Sequence, residues 1–280
     1  MSRHTIARPS ELFGTGLHSG QATRVRLVPG RPGAGVVFRR LDIADRRDIP
    51  ARLSRVALTD RRTALGGGAD RVDTVEHLLA AVAASEIDDL DVELDGPEIP
   101  ILDGSFAPFA RAVAEAGLMQ SGGAGRAIGH LESTIDLVEG EAHYSAEPCE
   151  GLAIEVELVY EEAVIGRQSA GGTVDPEWFA REIAPARTFG FLAEVASLRD
   201  RGLLAGATER CAIVLAEDRP LNTSLRWPNE FARHKLGDLL GDLSLMGFRP
   251  RARITALRPS HRGNIAFART LAAACGLTEE

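Results

Sequence analysis

The sequence has 280 residues, of which 44% are hydrophobic and 26% charged, as is typical of a soluble globular protein with one large domain or two ordinary ones. Its 40 acidic residues outnumber its 32 basic ones, and the net charge of −8 argues against general affinity for nucleic acid. The sequence has no run of 18 apolar residues, so we expect no stable membrane insertion.

In the first half of the chain, strand-like and helical patterns alternate. Strands are predicted at residues 21–28, 35–39 and 88–94, and helices at residues 73–85 and 105–116. Residues 120–126, with the sequence QSGGAGR, interrupt these patterns and are the best position for a domain boundary.

The second half of the chain repeats this alternation. Strands are predicted near residues 127–137, 152–159, 211–215 and 252–257, and helices near residues 176–182, 197–202, 229–246 and 265–275. Because strands followed by helices occur twice, we predict an α+β fold of two similar domains, residues 1–122 and 127–280.

The cysteine content points to a reducing compartment. Cys149, Cys211 and Cys275 are widely spaced and odd in number, which is typical of reduced thiols and not of a disulfide framework or a thiolate zinc site. The first residues lack the hydrophobic stretch of a signal peptide. We therefore expect a cytoplasmic protein.

The predicted helix near residues 229–246 is the most informative segment. At about 100° per residue, one side of it is apolar and should face a core, with Ala232, Leu236, Leu239, Leu240 and Leu243. The opposite side carries His234, Gly237, Asp238, Gly241 and Asp242. A glycine in a helix interior costs about 1 kcal/mol, so two glycines on this side indicate that another group approaches the backbone closely.

Two residues of this helix are candidate metal ligands. His234 and Asp238 are four residues apart, so both side chains project toward one point, and an imidazole with a carboxylate suits zinc or a similar divalent ion. The alternative is an exposed helical ion pair. Asp242, one turn further on, could orient a ligand or a catalytic histidine, or it could be a solvated aspartate.

A third ligand could come from His77, near the start of the helix predicted at residues 73–85. The neighbouring Glu76 could deprotonate a water molecule held by such a metal. In the alternative interpretation, Asp73 and Glu76 form a capping box, and His77 is a structural residue of the first turn.

Two further residues attract attention. His261 is predicted in a loop between a strand and a helix, where it could act as a general acid or stabilise an oxyanion, or lie on the surface. Lys235 is the single lysine in the sequence and lies beside the candidate ligands. Lysine and arginine are not interchangeable where a compact ammonium is needed, so this position could be functional. Alternatively, this lysine has persisted by chance.

Six segments together resemble one family, the UDP-3-O-acyl-N-acetylglucosamine deacetylases, which are zinc amidases of lipid A biosynthesis. They are GTGLHSG at residues 14–20, TVEHLLAA at 74–81, PEIPILDGSFAPF at 97–109, ARTFGF at 186–191, EFARHKLGD at 230–238 and HRGN at 261–264. The resemblance implies two similar domains, each a β-sheet layered with helices, with the active site between them. It also implies a small insertion near residues 161–182 that helps to form an apolar passage for an acyl chain.

The resemblance also implies residue roles. The Zn²⁺ ligands would be His77, His234 and Asp238, and Glu76 would activate water. Thr188 would place its hydroxyl at the developing oxyanion, and His261, paired with Asp242, would protonate the leaving amine. The substrate, an acylated UDP-sugar, would contact Leu17, Phe189 and Lys235. A monomer is expected.

The sequence departs from the family pattern at several points. Pro259 and Ser260 precede His261 where the family has Ser-Gly, the segment after Gly206 differs, and the chain ends sooner than in many relatives. Three alternatives stay open: a paralogue that deacetylates another N-acyl sugar, a catalytically silent paralogue that binds a sugar nucleotide or lipid, and a structural protein with incidental histidines.

Overall fold

A computed structural model describes residues 2–45 and 47–277. The strands are β1 (Ser2–Ile6), β2 (Ser10–Thr15), β3 (Ala22–Pro29), β4 (Val36–Arg40), β5 (Asp48–Pro50), β6 (Val56–Leu58), β7 (Ala64–Leu65), β8 (Leu90–Leu94), β9 (Leu118–Ala124), β10 (Ile128–His130), β11 (Ile135–Glu139), β12 (Ala142–Pro148), β13 (Leu152–Val159), β14 (Arg167–Thr173), β15 (Phe189–Phe191), β16 (Ile213–Leu215) and β17 (Arg249–Leu257). The helices are α1 (Glu76–Ala84), α2 (Ala107–Ala116), α3 (Pro176–Trp178), α4 (Leu192–Asp200), α5 (Glu230–Leu243) and α6 (His261–Ala274). A π-helical turn over Phe179–Ile183 follows α3, and 3₁₀ turns occur at Leu53–Arg55, Gly68–Asp70 and Ser244–Met246.

Two large sheets share one strand pattern. The first has the order β2-β3-β8-β4-β5, and the second has the order β11-β12-β17-β13-β14, with β10 alongside the start of β17. In each five-strand order the third and fourth strands are parallel and the other neighbours are antiparallel, and β10 pairs with β17 in parallel. The prediction of an α+β fold with two parts of similar build is confirmed.

The helices repeat in the same way. In the first half α1 precedes the central strand β8 and α2 follows it, and in the second half α5 and α6 stand in the same relation to β17. The equivalent helices α1 and α5 pack directly against each other. The seam between the two halves is therefore built from one helix of each.

The two glycines of α5 allow this close packing. A Cβ atom at Gly241 would lie 2.2 Å from the backbone oxygen of Glu76, and one at Gly237 would lie 2.3 Å from the ring of Phe106. The predicted close approach to the helix backbone is confirmed. As predicted, the apolar side of α5 is also buried, so this helix is enclosed on both sides.

Some local predictions are wrong. The predicted break at residues 120–126 mostly belongs to β9, a polar, glycine-rich strand that pairs with β1 and lacks the alternation by which strands are recognised. Helix α4 begins five residues earlier than expected.

Within the predicted insertion at residues 161–182, β14 pairs with β13 at the edge of the second large sheet. The domain division at residues 122–127 stays a proposal; β9 ends and β10 begins at this point.

Candidate active site

Helices α1 and α5 bring the three candidate ligands together. The ligand atoms of His77, His234 and Asp238 all lie within 4.8 Å of one another, and the three side chains are buried. Oδ1 of Asp238 is 3.6 Å from Nε2 of His77 and 3.4 Å from Nε2 of His234. Because His234 and Asp238 are only 2% and 3% exposed, the alternative of a solvated ion pair is wrong.

The donor set fits a divalent metal ion. Oδ1 of Asp238 is buried and has no hydrogen-bond partner among the described residues. His234 places Nδ1 3.1 Å from the carbonyl oxygen of Ala186, so Nδ1 carries the proton and Nε2 offers its lone pair to the cluster. Two ligand atoms of a tetrahedral ion with bonds near 2.0–2.1 Å lie about 3.3 Å apart, close to the two Asp238–histidine separations.

The charges around the cluster favour the protonation states that a metal requires. Burial lowers the pKa of His234 to about 3, which keeps its imidazole neutral. Burial alone would raise the pKa of Asp238, but the ammonium of Lys235, 2.8 Å from Oδ2, holds it well below its usual range. Lys235 thus binds the oxygen of Asp238 that is not the one nearest His77 and His234.

Glu76 lies beside this cluster as a buried carboxylate. Its Oε2 accepts the backbone N–H of Thr63 at 3.1 Å, and burial raises its pKa. The capping-box interpretation is wrong, since Val75 occupies the N-cap position of α1 and Asp73 instead pairs with Arg62 at 3.0 Å. Glu76 is therefore free of a role in capping the helix.

His261 and Asp242 form a buried pair on the other side of the cluster. Nδ1 of His261 donates to Oδ2 of Asp242 at 2.9 Å, which leaves Nε2 4.0 Å from Oε1 of Glu76. Although burial lowers the pKa of His261, the charge of Asp242 outweighs it and raises that pKa to about 9. The prediction that His261 lies in a loop is wrong: it is the first residue of α6, and the hydroxyl of Ser260 caps this helix by accepting the N–H of Gly263 at 3.1 Å.

A cavity of about 1100 Å³ borders part of this site. Its lining includes Thr188, Phe189, His234, Lys235, Asp238 and His261. Thr188 is held by its backbone, because its N–H donates to the carbonyl oxygen of Gly104 and its own carbonyl accepts the N–H of Ile213, both at 2.8 Å. Phe189 packs on Phe231 with ring centroids 4.7 Å apart.

A second, more apolar cavity of about 370 Å³ shares part of this wall, namely residues 188–191 with Arg61 and Glu194. Leu17 lies in its lining, together with apolar residues of α4 and β16. Its walls come from residues 17–18, residue 61 and residues 188–214, so the predicted insertion at residues 161–182 does not contribute to them.

Sequence reasoning missed two partners of Asp242. Its Oδ1 accepts the hydroxyl of Thr63 at 2.6 Å, and its Oδ2 accepts the side-chain amide of Asn264 at 2.8 Å. Asn264 belongs to the family-like HRGN segment and could have been suspected on that ground. Thr63 lies in an irregular segment with no periodic pattern, and no local signal identifies it.

In the described part of the chain, no helix has the length and apolar character needed to cross a bilayer. The three cysteines are unpaired, as expected.

The fold and the buried groups of the site define a class of protein. A buried His-His-Asp cluster lies beside a buried carboxylate and a charged imidazole, and His234, Asp238 and His261 of this group line one cavity. This arrangement is typical of a metal-dependent hydrolase. Residues 3–273 match the model of the LpxC family, described as UDP-3-O-acyl N-acetylglycosamine deacetylase. The chain belongs to this family, and the family predicted from the six segments is confirmed.

Curated relatives agree over nearly the whole chain. A UDP-3-O-acyl-N-acetylglucosamine deacetylase of Nostoc sp. is 40% identical over 277 residues, which is 98% of this chain and 99% of that protein. Proteins of the same name from Myxococcus xanthus and Brucella melitensis are 41% and 39% identical. These matches cover 94% and 93% of this chain, and 84% and 91% of the two relatives.

Proposed function

We propose that this protein hydrolyses the N-acetyl group of UDP-3-O-acyl-N-acetylglucosamine and releases acetate and a free amine, a step of lipid A biosynthesis. The names of the relatives support this activity. The observation that carries it is the convergence of His77, His234 and Asp238 from two halves of the chain onto one buried point.

Zn²⁺ is the ion we assign to these three ligands. Two neutral imidazoles and a carboxylate are a typical set for catalytic zinc. When bound, zinc would supply a Lewis acid that polarises the amide carbonyl and acidifies water. The buried carboxylate of Glu76, whose Oε1 lies 4.0 Å from Nε2 of His261, would accept the proton of the attacking water.

His261 and Thr188 would act on the amide itself. An amide nitrogen leaves only after protonation, and a His261 whose pKa is about 9 holds a proton at neutral pH. Nε2 of His261 lies 4.0 Å from Oε1 of Glu76, so the acid and the base are close enough to act on the same amide group. The hydroxyl of Thr188, in the wall of the cavity, would donate to the oxyanion that develops as water adds.

The two adjoining cavities suit an amphiphilic substrate. The larger, with Lys235 and Phe189 in its wall, would take the sugar nucleotide, and the smaller, with Leu17, would take the acyl chain. Lys235 is bound to Asp238, so its contact with the substrate would be made from that position. A monomer that acts in the cytoplasm stays a prediction.

The departure at Pro259 and Ser260 leaves the catalytic geometry intact. Ser260 caps α6, and the His261–Asp242 hydrogen bond forms at 2.9 Å. The acid therefore keeps its hydrogen bond to Asp242 despite the unusual residues before it, which supports an active hydrolase over a silent paralogue.

The test is amine release from acylated UDP-N-acetylglucosamine, with and without chelator, alongside metal analysis. We expect about one zinc per chain, activity that chelator abolishes, and restoration by added zinc. Glu76→Ala should keep zinc and lose about 10²–10⁴-fold in kcat. Full activity of this variant would refute the assignment of the base.

The same assay separates the alternatives. Release of amine from another N-acyl sugar, but not from the acylated UDP-sugar, would identify a paralogue of different specificity. Zinc bound at full occupancy without amine release from any acylated UDP-glucosamine would identify a silent paralogue.

A further inference from the structure

We propose that Thr63 is a positioning residue that sets the acid His261 and the base Glu76 relative to each other across the seam between the two halves. This inference rests on the proposed deacetylase function. Thr63 is fully buried just before β7, so it acts through its neighbours and not on the substrate directly. Its hydroxyl and its backbone each contact a different part of the site.

The hydroxyl of Thr63 fixes the carboxylate of Asp242. A carboxylate only accepts hydrogen bonds, so the 2.6 Å contact between the Thr63 hydroxyl and Oδ1 of Asp242 is a donation by the threonine. The other oxygen, Oδ2, accepts from Nδ1 of His261 and from Asn264. The two oxygens are thus held from opposite sides, and the plane of the carboxylate that orients His261 is fixed.

The backbone of Thr63 fixes Glu76. Its N–H donates to Oε2 of Glu76 at 3.1 Å, and its carbonyl oxygen accepts the N–H of Val75 at 3.2 Å. Thr63 is therefore attached at two points to the start of α1. The position of its hydroxyl is defined relative to the base.

The hydroxyl bond crosses the seam. Thr63 and Glu76 belong to the first half of the chain, whereas Asp242 and His261 belong to the second. The hydroxyl oxygen also lies 3.4 Å from Nδ1 of His261. One residue thus contacts the base, the acid and the carboxylate that orients the acid, and its loss would leave the 4.0 Å spacing of Glu76 and His261 less firmly set.

Removing only the hydroxyl tests this role. Thr63→Val keeps the shape and the backbone N–H but leaves Oδ1 of Asp242 without a donor, while Thr63→Ser keeps the hydroxyl. We expect Thr63→Val to lower kcat about 10–100-fold with KM and zinc content unchanged, as is typical when a group that orients a catalytic residue is lost. Thr63→Ser should restore kcat to within about threefold of the wild type.

Thr23→Val is the matched control. Thr23 is also a fully buried threonine, but its hydroxyl has no hydrogen-bond partner among the described residues, so kcat should not change. The folding of each variant is checked by urea unfolding. If Thr63→Val does not fold, Thr63→Ala replaces it in the comparison with Thr63→Ser.

The outcomes are distinct. An unchanged kcat in Thr63→Val, an equal loss in Thr63→Ser, or a loss that follows zinc content or KM would overturn the proposal. Inactivity of the wild type on acylated UDP-N-acetylglucosamine would instead refute the proposed function.

Discussion

Two clusters of buried charge join the two halves of the chain, and they differ in how completely their groups are paired. The first is the candidate active site. The second, which we call the arginine cluster, consists of Arg3, Asp88, Asp89, Arg126 and Arg249. In the arginine cluster all four carboxylate oxygens accept hydrogen bonds, from arginine side chains, backbone N–H groups and a serine hydroxyl.

The active site lacks this completeness. Oδ1 of Asp238 and Nδ1 of His77 are buried and have no hydrogen-bond partner among the described residues. Buried polar groups are rarely left unpaired, because each costs about 1–3 kcal/mol. Both clusters bury charge, so burial alone does not distinguish a functional site from a structural one. The difference is that the active site has buried polar atoms without hydrogen-bond partners beside a cavity.

The largest effect is expected from His234→Ala, which removes a ligand from the incompletely paired cluster. Zinc content should fall to near zero and kcat/KM by about 10³-fold or more, because several kcal/mol of transition-state stabilisation is lost. Metal analysis and the amine-release assay measure both quantities. His130→Ala, at an exposed histidine, is the control, and retention of zinc by His234→Ala would contradict the ligand assignment.

The arginine cluster should respond in the opposite way. Asp88→Ala leaves the guanidinium of Arg126, whose pKa burial already lowers to about 10, without its carboxylate partner. We expect the free energy of unfolding to fall by about 3 kcal/mol with kcat unchanged, measured by urea unfolding and kinetics. Asp218→Ala, at an exposed ion pair, should change stability by less than about 0.5 kcal/mol. If kcat fell in Asp88→Ala while the protein stayed folded, the arginine cluster would not be purely structural, and the contrast with the active site would be wrong.

Asp242→Asn tests a carboxylate that is fully paired yet belongs to the active site. It removes the negative charge that raises the pKa of His261, so kcat should fall about 10–100-fold while zinc stays bound. Because the acid must be protonated, activity should be lost as pH rises through the pKa of His261, which is about 9. In Asp242→Asn this alkaline limb of the pH–rate profile should move to lower pH. If the alkaline limb stayed at the same pH, the titration of a group other than His261 would be responsible for it.

The smallest effect is expected at the wall between the two cavities. Arg61 and Glu194 form an ion pair there, but their side chains are 47% and 38% exposed. A double-mutant cycle of Arg61→Ala and Glu194→Ala, followed by urea unfolding, should give a coupling energy of about 0.2–1 kcal/mol. A value as large as that expected for the arginine cluster would show that exposure does not limit this pair.

The sequence predicts those features that local patterns encode. The i, i+4 spacing of His234 and Asp238 and the glycines of α5 depend on helix geometry alone, so the cluster and the close packing could be anticipated. The HRGN segment indicated His261, but its place on α6 depends on the cap formed by Ser260. Thr63 depends on a contact between residues 179 positions apart, which no local pattern contains.

The shared strand order of the two sheets has a consequence for how such a site could arise. A polypeptide of half this length would contain one helix equivalent to α1 or α5. Two copies would have to form a dimer before these helices could pack against each other. Fusion of two such copies would replace that encounter with a fixed effective concentration. It would also let the copies diverge, with one providing Glu76 and His77 and the other providing His234 and Asp238. Neither half expressed alone contains the full set of ligands.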